Sequence, residues 1–292
     1  MKQKTIFLII GFILLWNSGF IGAEYGLPYT GPFSLIFWRY LAVFMILCIY
    51  LLARKRLRWV GKKSALVNML IGLLSHGVWL TCVLFALDRK VPAGIVALIV
   101  ALQPLATGAL SGYVTHEKTN SRQWIGLVIG FVGVVITVGF RINSGDSGSL
   151  FGYLIPLASV AAITIATLIQ RKIDLEETSY RLPMDLTLFY QSLGTLVAIT
   201  FPALLAENLA TDWEPTFIYT LLWLIVAVSI GAYFLMWRLI EYLEPTKVAS
   251  LFYLGPPVTM FMGWLAFGDT VLKTDIAGMS VVLVGVILTQ RK

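Results

Sequence analysis

The segment 92–137, PAGIVALIVALQPLATGALSGYVTHEKTNSRQWIGLVIGFVGVVIT, decides the fold, because it returns without a gap 152 positions later as 244–289, EPTKVASLFYLGPPVTMFMGWLAFGDTVLKTDIAGMSVVLVGVILT. In that register Ala97 falls on Ala249, Pro104 on Pro256, Thr107 on Thr259, Glu117 on Asp269, Gly126 on Gly278 and Gly133 on Gly285, and ten of the forty-six positions are identical. A membrane-like composition alone would match about one position in ten, and the matches here include prolines and glycines that constrain the backbone. The same offset carries 35–42 (LIFWRYLA) onto 187–194 (TLFYQSLG). One structural unit therefore occurs twice, over nearly the whole chain.

Composition says where that unit sits. With 58% hydrophobic and 13% charged residues and a mean hydropathy of +0.84, the chain has too few charges to wrap a soluble globule of its length. The expected class is an all-α integral membrane protein. The net charge of +7 would suggest nucleic acid in a soluble protein. Here Lys and Arg collect in short loops, where they set orientation, so no nucleic-acid partner is expected. Cys48 and Cys82 lie inside apolar runs without metal-ligand spacing, His116-Glu117 is not a metal motif, and no paired-Cys, His-Glu-x-x-His or Gly-x-Ser-x-Gly pattern occurs. No metal, cofactor or catalytic residue is expected. The first apolar run has a basic flank but no small-x-small cleavage pattern, and it reads as a spanning helix.

Apolar runs long enough to cross a bilayer fall at ten places: 5–22, 33–53, 65–87, 92–114, 124–140, 150–170, 184–205, 215–239, 246–267 and 275–288. Backbone amides find no partner in lipid, so such runs must be helical. With the N-terminus inside, seventeen Lys and Arg fall on inner segments and four, Arg89, Lys90, Arg141 and Lys273, on outer ones, leaving Arg39 within a span. That bias places both termini in the cytoplasm of a multi-pass protein of the cell (inner) membrane. Five spans per copy leave the second copy upside down. The expected organisation is a first repeat at 1–141, a short polar linker at 142–149 and an inverted second repeat at 150–292. Inverted repeats create a pseudo-two-fold axis in the membrane plane, and exchanging the conformations of the copies converts an outward-open state into an inward-open one.

The run Leu14-Leu15-Trp16-Asn17-Ser18-Gly19-Phe20-Ile21-Gly22, the stretch from Pro32-Phe33 to Phe37-Trp38-Arg39-Tyr40, and the paired Pro-plus-acidic segments with Gln123-Trp124-Ile125-Gly126 resemble the EamA branch of the drug/metabolite transporter superfamily over essentially the full length. The resemblance implies ten helices in two inverted halves, termini inside, a central cavity, and export of small metabolites, amino acids or drugs. Sugar-phosphate carriers are more distant relatives, and no basic pocket matching theirs is found.

Candidate site residues come from position and from disagreement between the copies. Asn17, Ser75, His76, Trp79 and Gln103 fall on Ile169, Ala227, Val228, Gly231 and Gly255, so the shared scaffold does not demand them and substrate recognition is expected there. His76 is either a proton-coupling or carboxylate-binding group or a neutral interhelical hydrogen-bonder. Trp16, Tyr233, Trp237 and Tyr253 form either an aromatic wall for a ring-bearing substrate or a lipid-facing belt. An intramembrane Arg39 must face the interior and find a partner. The nearest acidic residue in sequence is Glu24, and the pair reads as a gate or a helix lock, with an anion contact as the alternative for Arg39. Pro104, Pro256 and Pro257 sit mid-span, where each removes a backbone donor and frees a carbonyl for a ligand or simply kinks its helix. Arg238, Glu241 and Glu244 read as an inner gate or as surface ion pairs. Small residues such as Ala97, Ala101, Gly108, Gly126, Gly130 and Gly133 read as packing surfaces.

The expected function is secondary-active export of small amphipathic metabolites such as amino acids by alternating access, with a proton or counter-substrate as coupling partner, in a monomer or homodimer. A bidirectional exchanger of metabolites such as sugar phosphates, and a membrane-embedded protein that moves nothing, are the alternatives. A membrane enzyme would need titratable groups clustered at one depth, whereas Arg39, His76 and Glu241 are spread over three.

Overall fold

A computed structural model describes residues 3–115, 121–143, 149–176, 180–243, 248 and 251–290. Among the described residues the long helices are, in chain order, α1 (Gln3–Gly26), α2 (Pro32–Ala53), α3 (Lys62–Asp88), α4 (Ala93–Val100 continued by Gln103–Thr115), α5 (Ser121–Asn143), α6 (Leu150–Leu175), α7 (Met184–Leu205), α8 (Pro215–Tyr242), α9 (Gly255–Phe267) and α10 (Lys273–Gln290). Eight of them, α1 to α8, are long and apolar enough to cross a membrane, and large apolar side chains such as Phe7, Ile49, Phe201 and Leu265 cover the outside. The protein is a multi-pass membrane protein of two inverted five-helix repeats.

Every expected span overlaps a helix. The largest difference is in the ninth span, where a 3-10 turn at Phe252–Leu254 separates α9, starting at Gly255, from helical residues at Val248 and Leu251. Its expected beginning at 246–250, like Glu244, falls almost wholly outside the described residues. The prolines explain the interruption. Pro256 and Pro257 occupy the first turn of α9, where an N–H has no intrahelical partner to lose. Pro104 stands likewise in the first turn of the second piece of α4, just after a break at Ala101 and Leu102. Equivalent helices are thus interrupted at equivalent places rather than kinked.

The pairing of helices follows the repeat. α2 packs on α7, α4 on α9 and α5 on α10, each helix against its own counterpart, while α1 packs on α8 and α3 on α6. Exchanging the two copies reproduces this pattern. α5 and α10 run antiparallel: Gly133 lies on the backbone of Gly278 and Val282, while Gly285 lies on Gly126 and Gly130. A Cβ at these positions would push the backbones apart, which is why small residues recur there. Arg141, expected in a loop, is instead in the last turn of α5 with only 3% of its side chain exposed. Its Nε donates to Asp275 Oδ1 (3.1 Å) and one terminal nitrogen to Asp275 Oδ2 (2.6 Å) and to the Thr270 carbonyl (2.7 Å). Asp275 is fully buried and also accepts from Leu272 N.

Candidate functional site

Both α3 and α8 contain a π-helical turn, at Leu73–Val78 and Trp223–Ala232. Shifted by the repeat offset of 152, the first falls within the second. A π turn widens the helix and re-aims the side chains it carries, and such turns concentrate at functional sites. Here they carry His76 and Ser229 to the centre of the molecule. His76 lies against the Tyr40 ring (centroids 5.5 Å apart, planes at 30°) and edge-on to Tyr233 (6.3 Å, 69°).

These three rings separate two hollows. One, of about 40 Å³, is walled by Trp16, Arg39, Trp79, Phe20 and aliphatic residues of α1 and α3 in addition to the three rings. The other, of about 410 Å³, is walled by Val43, Ile46, Tyr50, Ser192, Ser229 and Phe234 among others, again with the three rings. Along α1 and α3 the small hollow extends toward the α1–α2 connection. Along α2 and α7 the large one extends toward the Arg-rich α2–α3 connection. The two therefore lie in line across the molecule with an aromatic partition between them.

Of the residues singled out by sequence, Trp16, Arg39, His76, Trp79 and Tyr233 meet at this partition. Trp16 stacks obliquely on Tyr233 at 5.4 Å and is backed by Phe12 and Phe252. Asn17, Ser75 and Gln103 are turned elsewhere. Asn17 donates to the Ile13 carbonyl (2.7 Å) and accepts from Thr259 (3.0 Å), joining α1 to α9. The Ser75 hydroxyl donates to the Ile71 carbonyl (2.7 Å), and Gln103 donates to Thr107 (3.2 Å) and faces Thr167 of α6. Tyr253 packs on the main apolar core. The Trp237 side chain is outside those described. Arg238 pairs with Glu241 (2.6 Å) and reaches the Tyr242 hydroxyl at an exposed end of α8.

Glu24 and Arg39 do not pair. Glu24, half-buried, has Asp269 and Lys90 as its charged neighbours. Arg39, buried, donates from Nε to Ser229 Oγ (2.9 Å) across α2 and α8. Its counterpart in the other copy, Gln191, lies within side-chain hydrogen-bonding reach of His76 across α7 and α3. Tyr40, Gln191 and Ser229 escaped sequence reasoning. The register contained a signal for two of them, since Arg39-Tyr40 falls on Gln191-Ser192 and Ser192 also walls the large hollow.

The ends of the α2–α7 pair are stitched in matching ways. At the α1–α2 end, Glu207 accepts from the backbone N–H of Phe33 (3.1 Å) and Ser34 (2.7 Å), Thr30 bonds Thr211, and Trp38 Nε1 donates to Thr211 (2.9 Å). At the opposite end Arg56 pairs with Asp185 (2.9 Å), and the Tyr190 hydroxyl donates to the Arg58 carbonyl (3.0 Å). Trp38 and Tyr190 are register counterparts.

A helical membrane protein built as two inverted halves around a central, aromatic-lined hollow is the architecture of a solute carrier. The sequence pattern of the EamA-like transporter family matches residues 3–139 and again 150–291, and the chain belongs to that family. It is 24% identical over 297 residues to a probable amino-acid metabolite efflux pump of Salmonella typhimurium, covering 98% of this chain and 94% of that one. It is 26% identical to an uncharacterized transporter of Archaeoglobus fulgidus (100% and 99% covered) and 26% identical to the uncharacterized inner membrane transporter YedA of Escherichia coli K12 (94% and 87%). A solved crystal structure shares the fold with a TM-score of 0.65 at 16% identity, over 99% of this chain and 97% of that one. The chain is a membrane transporter of the drug/metabolite type.

Proposed function

We propose that this transporter exports small amphipathic metabolites, amino acids above all, by alternating access driven by a proton or counter-substrate gradient. In this reading both termini are cytoplasmic in the cell membrane, and the halves 1–141 and 150–292, joined at 142–149, rock against each other. One observation carries it: two hollows lie on opposite sides of a single partition made by Tyr40, His76 and Tyr233, which α2, α3 and α8 contribute from both halves. A solute path interrupted once at its centre is what a carrier between states requires. The efflux pump name of the Salmonella relative supports the direction and the solute class.

The two stitched ends supply the test. A disulfide replacing Thr30 and Thr211 holds one end shut, and one replacing Arg56 and Asp185 holds the other. In proteoliposomes, counterflow of radiolabelled leucine and phenylalanine should stop with either cross-link and return on reduction. Flux indifferent to both cross-links refutes alternating access.

A further inference from the structure

We propose that the free edge of the Arg39 guanidinium seats the carboxylate of the transported solute, an assignment that rests on the transport reading above. Arg39 spends only Nε inside the protein, on Ser229. Its two terminal nitrogens have no partner among the described residues and are not sealed in the packing, and the side chain walls the small hollow. Among the described residues no carboxylate pairs with Arg39, although one Glu24 oxygen is buried without a partner. Asp275 is held by Arg141, Asp185 by Arg56, Glu207 by the start of α2, and Glu24 stands beside Asp269 and Lys90.

The wall around Arg39 is rich in donors and poor in acceptors. Trp79 Nε1 is a buried donor with no partner, and the hydroxyls of Tyr40 and Tyr233 make no hydrogen bond among the described residues. A surplus of N–H and O–H groups beside a permanent cation matches an anion with several lone pairs, and a guanidinium fork matches a carboxylate in particular. The ring faces of Trp16 and Trp79 and the aliphatic wall of Leu80, Val83 and Leu84 suit an apolar side chain. The fold itself does not require the cation, because the register counterpart of Arg39 is the neutral Gln191, which makes the equivalent contact to the partner half. At about 40 Å³ the hollow admits a few waters in this conformation. Seating a metabolite needs it to widen, as rocking of the halves would do.

Leucine, phenylalanine, their amides and the matching decarboxylated amines are the probes. Thermal stabilisation of purified protein in detergent reads binding, and counterflow in proteoliposomes reads transport. The wild type should favour acid over amide by roughly thirtyfold or more, the usual penalty for removing one partner of a buried charge pair. Arg39→Gln should bring acid and amide within about threefold of each other. Arg39→Lys, which keeps the charge and loses the fork, should weaken leucine about tenfold while still favouring the acid. Should Arg39→Gln not fold, Arg39→Lys decides, and a leucine half-saturation unmoved from wild type overturns the assignment. A wild type that does not distinguish acid from amide overturns it too, as does Arg39→Gln with the full preference. If leucine stabilises the wild type but not Arg39→Gln, and no vesicle moves leucine, the carboxylate seat stands and the transport reading falls. If Arg39→Gln carries leucine with its acid preference intact, the seat falls and transport stands.

Discussion

The seam between α3 and α7 and the seam between α2 and α8 are the same place in the two copies, yet one is shut and the other is open. At the first, Gly72 lies against the Gln191 backbone, Gly194 against the Met69 backbone, and Thr195 donates to the Gly72 carbonyl at 2.9 Å. At the second, the register counterparts are Leu224, Ala42 and Val43. Leu224 fills space against Gly22 of α1, Val43 lines the large hollow, and the one side-chain hydrogen bond across this seam among the described residues is Arg39 to Ser229. Inverted repeats need not be in the same state at the same time, and here residue size decides which seam closes. The closed seam fixes a scaffold, and the open one leaves a solute-sized volume.

This contrast can be broken in four ways, taken from the largest effect down. The α5–α10 pair is the most extensive contact between the halves among the described residues, so loosening that frame tests the contrast at its base. Arg141→Ala strands a buried carboxylate and should cost about 3–5 kcal/mol, measured by chemical unfolding in detergent or bilayer. A small loss would mean that the frame is not held by this ion pair. Next, Gly72→Leu forces side-chain atoms into the Gln191 backbone and should cost about 3 kcal/mol, whereas Ala42→Leu at the open seam should cost under about 1 kcal/mol. Equal losses at the two sites would erase the distinction between the seams.

Filling the open volume separates function from stability. Ile230→Trp, on the wall of the large hollow, should cut counterflow about tenfold or more while moving the unfolding midpoint by less than a loss of about 1 kcal/mol would. Retained flux would show that the hollow is not on the solute path. The smallest effect belongs to the end stitches. Arg56→Ala removes a half-exposed ion pair and should change stability by no more than about 1 kcal/mol, an effect that added salt should mimic.

The ten helices and their inversion were legible because hydropathy and the repeated Pro and Gly positions are local or periodic signals. The candidate site was legible only as separate residues. Arg39 stands out as a cation in an apolar run, but its neighbour in sequence, Glu24, is not its neighbour in space. The actual partner, Ser229, is 190 positions away and chemically unremarkable in sequence. Asn17, Ser75 and Gln103 are conspicuous as polar residues that the other copy lacks. Each bonds within a turn of its own helix, and Asn17 and Gln103 also reach Thr259 and Thr167 of other helices, so a polar residue in an apolar run need not face a cavity. Arg141 reads as a loop residue because Gly and Ser follow it, and only the fold brings Asp275 beside it.

The π turns in α3 and α8 hold one residue more per turn than the α-helical ladder on either side of them. Deleting a single residue within Leu73–Val78 would let the ladder close at ordinary spacing and leave the facing of Trp79 and the rest of α3 nearly unchanged, because the wide turn already absorbs the extra residue. A one-codon deletion would thus remove the wide turn that carries His76, with little disturbance to the helix on either side of it.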